Sequence, residues 1–68
     1  MRKEDIDIYL NKDVLVTTFS ESLLCGHLEY NTSEMFRNNN YMLTNTGSDY
    51  TYYFNEDVVE NIKEKKGE

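Results

Sequence analysis

The stretch NKDVLVTTFSESLLCGHLEY, residues 11–30, decides the fold. VLVTTF (14–19) is β-branched and aromatic and reads as a strand, because such side chains pack well on a pleated surface. SES (20–22) interrupts it, and LLCGHLEY (23–30) resumes as a second strand. The two make a hairpin closed by a tight polar turn. Gly26 stands in the middle of the second strand between large residues. A glycine there weakens a strand, so its presence calls for a bulge or a sharp bend at a barrel corner. The hairpin is therefore expected to curve.

Outward from the hairpin the chain continues in short pieces. EDIDIYL (4–10) fits a short helical turn, with Ile6 and Leu10 on one face, but Ile6, Ile8 and Leu10 also alternate as an extended lead-in would. NTSEMFRNNN (31–40) is polar, ends in three asparagines and reads as the longest loop. YMLTN (41–45) is a third strand, TGSD (46–49) a turn, and YTYYF (50–54) a fourth, strongly aromatic strand. VVENI (58–62) reads as a fifth strand, against a rival helix over 56–66 that has acids at its start. Five short strands with regularly spaced turn signals predict an all-β fold with a short N-terminal helix. At this length a strongly bent five-stranded small barrel is the economical form, since closure removes exposed edges.

Sixty-eight residues make a single domain, residues 1–68, with the barrel at about 4–62 and KEKKGE (63–68) as a charged, flexible tail. So short a chain buries only about 60% of its unfolded surface, so its core is small or shared with a partner. One cysteine excludes an internal disulfide, and one cysteine with one histidine falls short of a structural zinc site. Oligomerisation is the stabilising route left, and no cofactor or metal is implied. No apolar run is long enough to cross a membrane, and no N-terminal signal peptide is evident. With a free thiol, that points to the cytoplasm.

Charge is unevenly spread. Between Asp13 and Ile62 eight acids face Arg37 alone, a charge of −7 within a chain whose net charge is −6. The other bases gather at the ends: Arg2, Lys3 and Lys12, then Lys63, Lys65 and Lys66. Gripping a phosphate backbone takes Lys and Arg, so the body as a whole is poorly suited to it, and an acidic surface serves solubility first.

Lys12, Val14, Val16, Gly26 and Leu28 fall, without a gap, at the intervals of the first motif of the Sm-like family, and Met35 falls at an apolar position of its loop. Over roughly 4–62 the chain resembles that family: a short helix, five strands, a variable loop between the third and fourth, and a short turn before the last. The resemblance implies a homo-oligomer, because in that family the fourth strand of one subunit pairs with the fifth of the next to close a ring. The corresponding segments offer Tyr50, Tyr52, Phe54, Val58, Val59 and Ile62 as subunit-contact candidates. There are departures. Asn11 stands where the family has glycine, and Glu21 where its hairpin turn has one. Thr32 replaces the loop aspartate, Phe36 the RNA-contacting asparagine, and FNEDVVENI (54–62) lacks the arginine–glycine pair. The resemblance thus implies the fold without the usual uridine pocket.

Cys25 and His27 share one face of their strand. A Cys–His nucleophile needs a thiol activated by the imidazole and a third group to orient it, and no oxyanion donor or substrate pocket is legible. They read as a small thiol and a surface histidine, and no catalytic residue is assigned. Tyr50, Tyr52 and Phe54 share a face that Tyr41 and Leu43 can join across a strand pair. Such a face can stack unpaired bases, but no Lys or Arg lies between Arg37 and Lys63, so core packing and subunit contact are the better reading. Arg37 with Asn38, Asn39 and Asn40 is the one place suited to an anion or a base edge.

Two function classes remain ahead of an enzyme. One is a non-catalytic Sm-like binding and assembly module whose partner is RNA or a protein. The other is a small acidic inhibitor that occupies a basic protein's groove, such as a nucleic-acid mimic from a phage or mobile element. Salt and charge separate them: an RNA-binding module loses affinity as salt rises and again when Arg37 becomes Ala, whereas a mimic binds only basic partners.

Overall fold

The computed structural model describes residues 1–45 and 50–65 of the chain; the expected turn over 46–49 and the last residues of the tail lie outside them. Helix α1 (Lys3–Asp7) comes first, followed by β1 (Asp13–Thr18), β2 (Leu23–Tyr30), β3 (Tyr41–Thr44), β4 (Thr51–Phe54), a 3₁₀ turn (Glu56–Val58) and β5 (Val59–Glu64). The fold is all-β with a short N-terminal helix, as the sequence predicts. Every paired neighbour is antiparallel, and the sheet order is β4-β3-β2-β1-β5.

The lead-in resolves as helix. Glu4 and Asp5 in its first turn favour the positive helix end, Ile6 is fully buried, and Ile8 is 67% exposed. Alternation would have turned Ile6 and Ile8 to the same side; helical spacing separates them.

β2 is shared between two ladders. Leu23 to His27 pair with β1, and His27 to Tyr30 pair with β3, so the strand passes from one neighbour to the other at His27. Gly26 sits just before that handover. Among the described residues, left-handed backbone lies elsewhere, at Asn11 (φ 66°) and Glu21 (φ 69°). Asn tolerates that conformation; Glu carries a steric cost there.

β5 differs from the expectation in two ways. It runs on through Glu64, with Leu15 opposite Lys63, and the Lys65 amide donates to the Asp13 carbonyl at 2.8 Å, so residues 63–65, expected in a flexible tail, pair with β1 instead. It also carries a bulge. Thr17 faces Asn61 while Thr18 faces Val59, leaving Glu60 as the extra residue. The bulge explains how Val59 and Ile62, three apart, both turn inward.

Residues from all five strands and the helix meet in one core: Ile6, Val14, Val16, Leu28, Tyr41, Leu43, Phe54, Val59 and Ile62. Both edge strands reach the same cluster, which requires the sheet to curl around it. Among the described residues no ladder joins β4 to β5, so the curl stops short of closure. The expectation that closure removes the edges is corrected: two edges remain.

Candidate ligand cleft and sheet edges

The edges can be specified residue by residue. In an antiparallel pair, positions alternate between those bonded to the neighbour and those whose N–H and C=O point away. The Asn45 amide donates to the Tyr50 carbonyl, so in the same register Tyr52 and Phe54 face β3, while Thr51 and Tyr53 direct their main-chain groups to the free side of β4. By the same count from the Lys65–Asp13 bond, Lys63 and Asn61 face β1, and Ile62 and Glu64 face the free side of β5. Each edge thus offers two donors and two acceptors at alternate residues.

The side chains divide differently. Phe54, Val59 and Ile62, expected as subunit contacts, are buried in the chain's own core. Tyr50 is 75% exposed, Tyr52 41% and Val58 40%, so these three are the ones that can meet a neighbour. Next to Tyr50 and Tyr52, a groove of about 400 Å³ is lined by Leu23, Leu24, Cys25 and Leu43.

The 31–40 loop owes its shape to asparagine side chains. The Asn31 amide donates to the Phe36 and Asn39 carbonyls, both at 2.8 Å, and its oxygen accepts from the Ser33 amide. Asn55 clamps the loop from the β4 end, donating to the Asn38 carbonyl at 2.7 Å and accepting from the Asn40 amide. The Asn40 side chain donates to Glu56 at 2.9 Å, and that bond, the largest cause, holds the Glu56 carboxyl below its ordinary range. Phe36 stacks on Tyr53 at 4.4 Å between ring centroids. Phe36 thus anchors the loop.

This ordered loop forms one wall of a cleft of about 410 Å³ lined by Lys3, Tyr30, Thr32, Glu34, Arg37 and Asn39 among others. Arg37, Asn39 and Asn40 of the four expected residues line it; Asn38 does not. Lys3 and Tyr30 carry no local sequence signal that points to the cleft. Lys3 reaches the cleft only through the docking of α1, which no local pattern around Arg37 signals.

Tyr30 begins an aromatic row that crosses the sheet, stacking on Tyr41 at 5.7 Å, with Tyr41 on Phe54 at 5.7 Å and Phe54 on Tyr52 at 6.2 Å. The Tyr41 hydroxyl donates to Asp7 at 2.7 Å, tying α1 to the sheet. Burial first, and then this bond to an anion, push the Tyr41 hydroxyl up. Tyr30 is pushed up as well, first by its own hydrogen bond to Asp7.

On the outer face, His27 Nδ1 lies 3.2 Å from Asp13 Oδ1, and Cys25 is exposed two residues before it. The hairpin register places Asp13 opposite His27. No grouping of three or more metal-ligating side chains occurs among the described residues, and none of their helices is long and apolar enough to cross a membrane. No protein-family model, curated protein or solved structure matches the chain.

Proposed function

We propose that this chain is a non-catalytic binding and assembly module of the Sm-like kind, which forms a homo-oligomer by pairing β4 of one copy with β5 of the next. The observation that carries this reading is the pair of unpaired sheet edges, Thr51 and Tyr53 on one side and Ile62 and Glu64 on the other. Unsatisfied edges in a small sheet invite a partner strand. A contact between two different edges is head-to-tail, so it closes a ring when the rotation permits. Tyr50, Tyr52 and Val58 supply exposed apolar surface beside those edges. Left-handed backbone at Asn11 and Glu21, where the resembling family has glycine, supports the same reading. The module takes RNA through residues other than the family's uridine pocket. Size-exclusion chromatography with light scattering at micromolar concentration is the test. A species of several times 8.1 kDa is expected, and a clean monomer overturns the assembly.

A further inference from the structure

Beyond assembly, the cleft beside the 31–40 loop has a chemistry of its own. It brings together two of the chain's seven basic residues, Lys3 from α1 and Arg37 from the loop, at separate points of one wall system. Glu34 is the one acid among the lining residues, so the lining carries a net positive charge inside a strongly acidic molecule. Tyr30 stacks on Tyr41 with one face, is 46% exposed, and lines the cleft. The side-chain amides differ in availability. Asn31 is fully engaged in shaping the loop, and Asn40 donates to Glu56. Asn39 uses only its main chain in the loop's hydrogen bonds and keeps its amide for a ligand.

We infer that this cleft holds one unit of a single-stranded nucleic acid, with its phosphodiester between Lys3 and Arg37 and its base against Tyr30, where the Asn39 amide reaches a base edge. A singly charged phosphodiester matches the modest positive charge of the lining. Base stacking on an exposed tyrosine is tolerant of sequence, and an asparagine amide offers both a donor and an acceptor to base edges. The inference rests on the reading of the chain as a binding module and is independent of its assembly.

The test is fluorescence polarisation of labelled oligo-U, oligo-A and oligo-dT with the full chain over a range of salt. Variants Arg37→Ala, Lys3→Ala, Asn39→Ala and Tyr30→Ala are compared with Lys63→Ala, which lies on β5 outside the cleft. Binding is expected to weaken with salt. Arg37→Ala and Lys3→Ala should each weaken it about threefold or more and lower the salt slope by about 0.7, the increment for one phosphate contact on a single strand. Tyr30→Ala should cost about fivefold or more. Asn39→Ala should reduce the difference between the U and A probes. Lys63→Ala should leave all of this unchanged. Melting curves confirm folding, and Arg37, being exposed, decides the matter if Tyr30→Ala unfolds. Failure to bind any probe, or binding that Arg37→Ala and Lys3→Ala leave intact, overturns the cleft. Light scattering on the same samples keeps the readings apart: an oligomer that binds no probe loses the cleft alone, and a monomer that binds loses the assembly alone.

Discussion

Gly26 lies directly under the main chain of Thr44: a β-carbon at position 26 would stand 2.8 Å from the Thr44 carbonyl oxygen and 3.2 Å from its carbon. The obstacle is backbone, so a larger residue cannot be accommodated by a side-chain rotation. The glycine permits the close approach of β3 where β2 changes ladders; it is not there for an unusual φ. Gly26→Ala is therefore expected to destabilise the domain by about 1–3 kcal/mol, the range for overpacking. Urea denaturation measures it. An unchanged midpoint would show that the two strands separate without cost.

Asn11 and Glu21 make a contrasting pair, since both are left-handed but only one residue type suits the conformation. Glu21 is exposed beyond β1, and its amide donates to the Thr18 carbonyl at 2.9 Å in the hairpin turn. Removing its β-carbon relieves steric cost, partly offset by the greater freedom of glycine in the unfolded chain. Glu21→Gly should raise stability by about 0.5–1 kcal/mol. Asn11→Ala should lower it by a similar amount, read as opposite shifts in melting temperature.

The Tyr41 hydroxyl predicts how stability changes in alkali. Its ordinary pKa is 10.0, and the fold pushes it up through burial and then through the bond to Asp7. A group raised on folding contributes stability in full below its unfolded value and loses it as pH climbs toward the folded one. Stability should therefore fall as pH rises past 10.0, and less steeply in Tyr41→Phe. At neutral pH Tyr41→Phe should cost about 1–2 kcal/mol, because the Asp7 carboxylate loses a charge-assisted partner. Circular dichroism melts across neutral and alkaline pH provide both readings.

Much of this architecture is legible in the chain because its signals are local. LLCGHLEY matches β2 residue for residue, and Gly26 marks the close approach of β3. The fifth strand was visible, but its bulge was not, because a one-residue slip at Glu60 is set by pairing with β1 and leaves no mark in composition. The same holds for the site. The asparagines are visible as polar sequence, yet Asn31, Asn40 and Asn55 use their side chains to build the loop, which the sequence alone does not signal. Lys3 and Tyr30 join Arg37 only through tertiary packing.

Asn40 and Glu56 test whether the loop's asparagines are structural. The amide of Asn40 is the largest cause of the lowered Glu56 carboxyl, ahead of the opposing effect of burial and the favourable charge of Lys3. Asn40→Ala should therefore move Glu56 back up toward 4.5, its ordinary value, as followed by carboxyl NMR titration. With its pKa depressed in the fold, Glu56 supports stability above its unfolded value and ceases to as pH falls through the folded one. The variant should lose part of that acid sensitivity.

Thr51 offers the sharpest separation of assembly from folding. Its main-chain N–H points to the free side of β4, while Tyr52 and Phe54 carry the hydrogen bonds to β3. Proline lacks that N–H and is tolerated on edge strands, where no internal ladder bond is lost. Thr51→Pro should leave the domain folded, with a melting temperature close to that of the parent, because the β3–β4 ladder is intact. It should also abolish pairing at that edge, since the donor a neighbouring β5 would use is gone and the ring projects into its path. Light scattering is expected to show the mass falling to that of a single chain, 8.1 kDa. A folded variant that keeps the parent's oligomeric mass would show that the copies meet through another surface, with the groove beside Leu23, Tyr50 and Tyr52 the next to be altered.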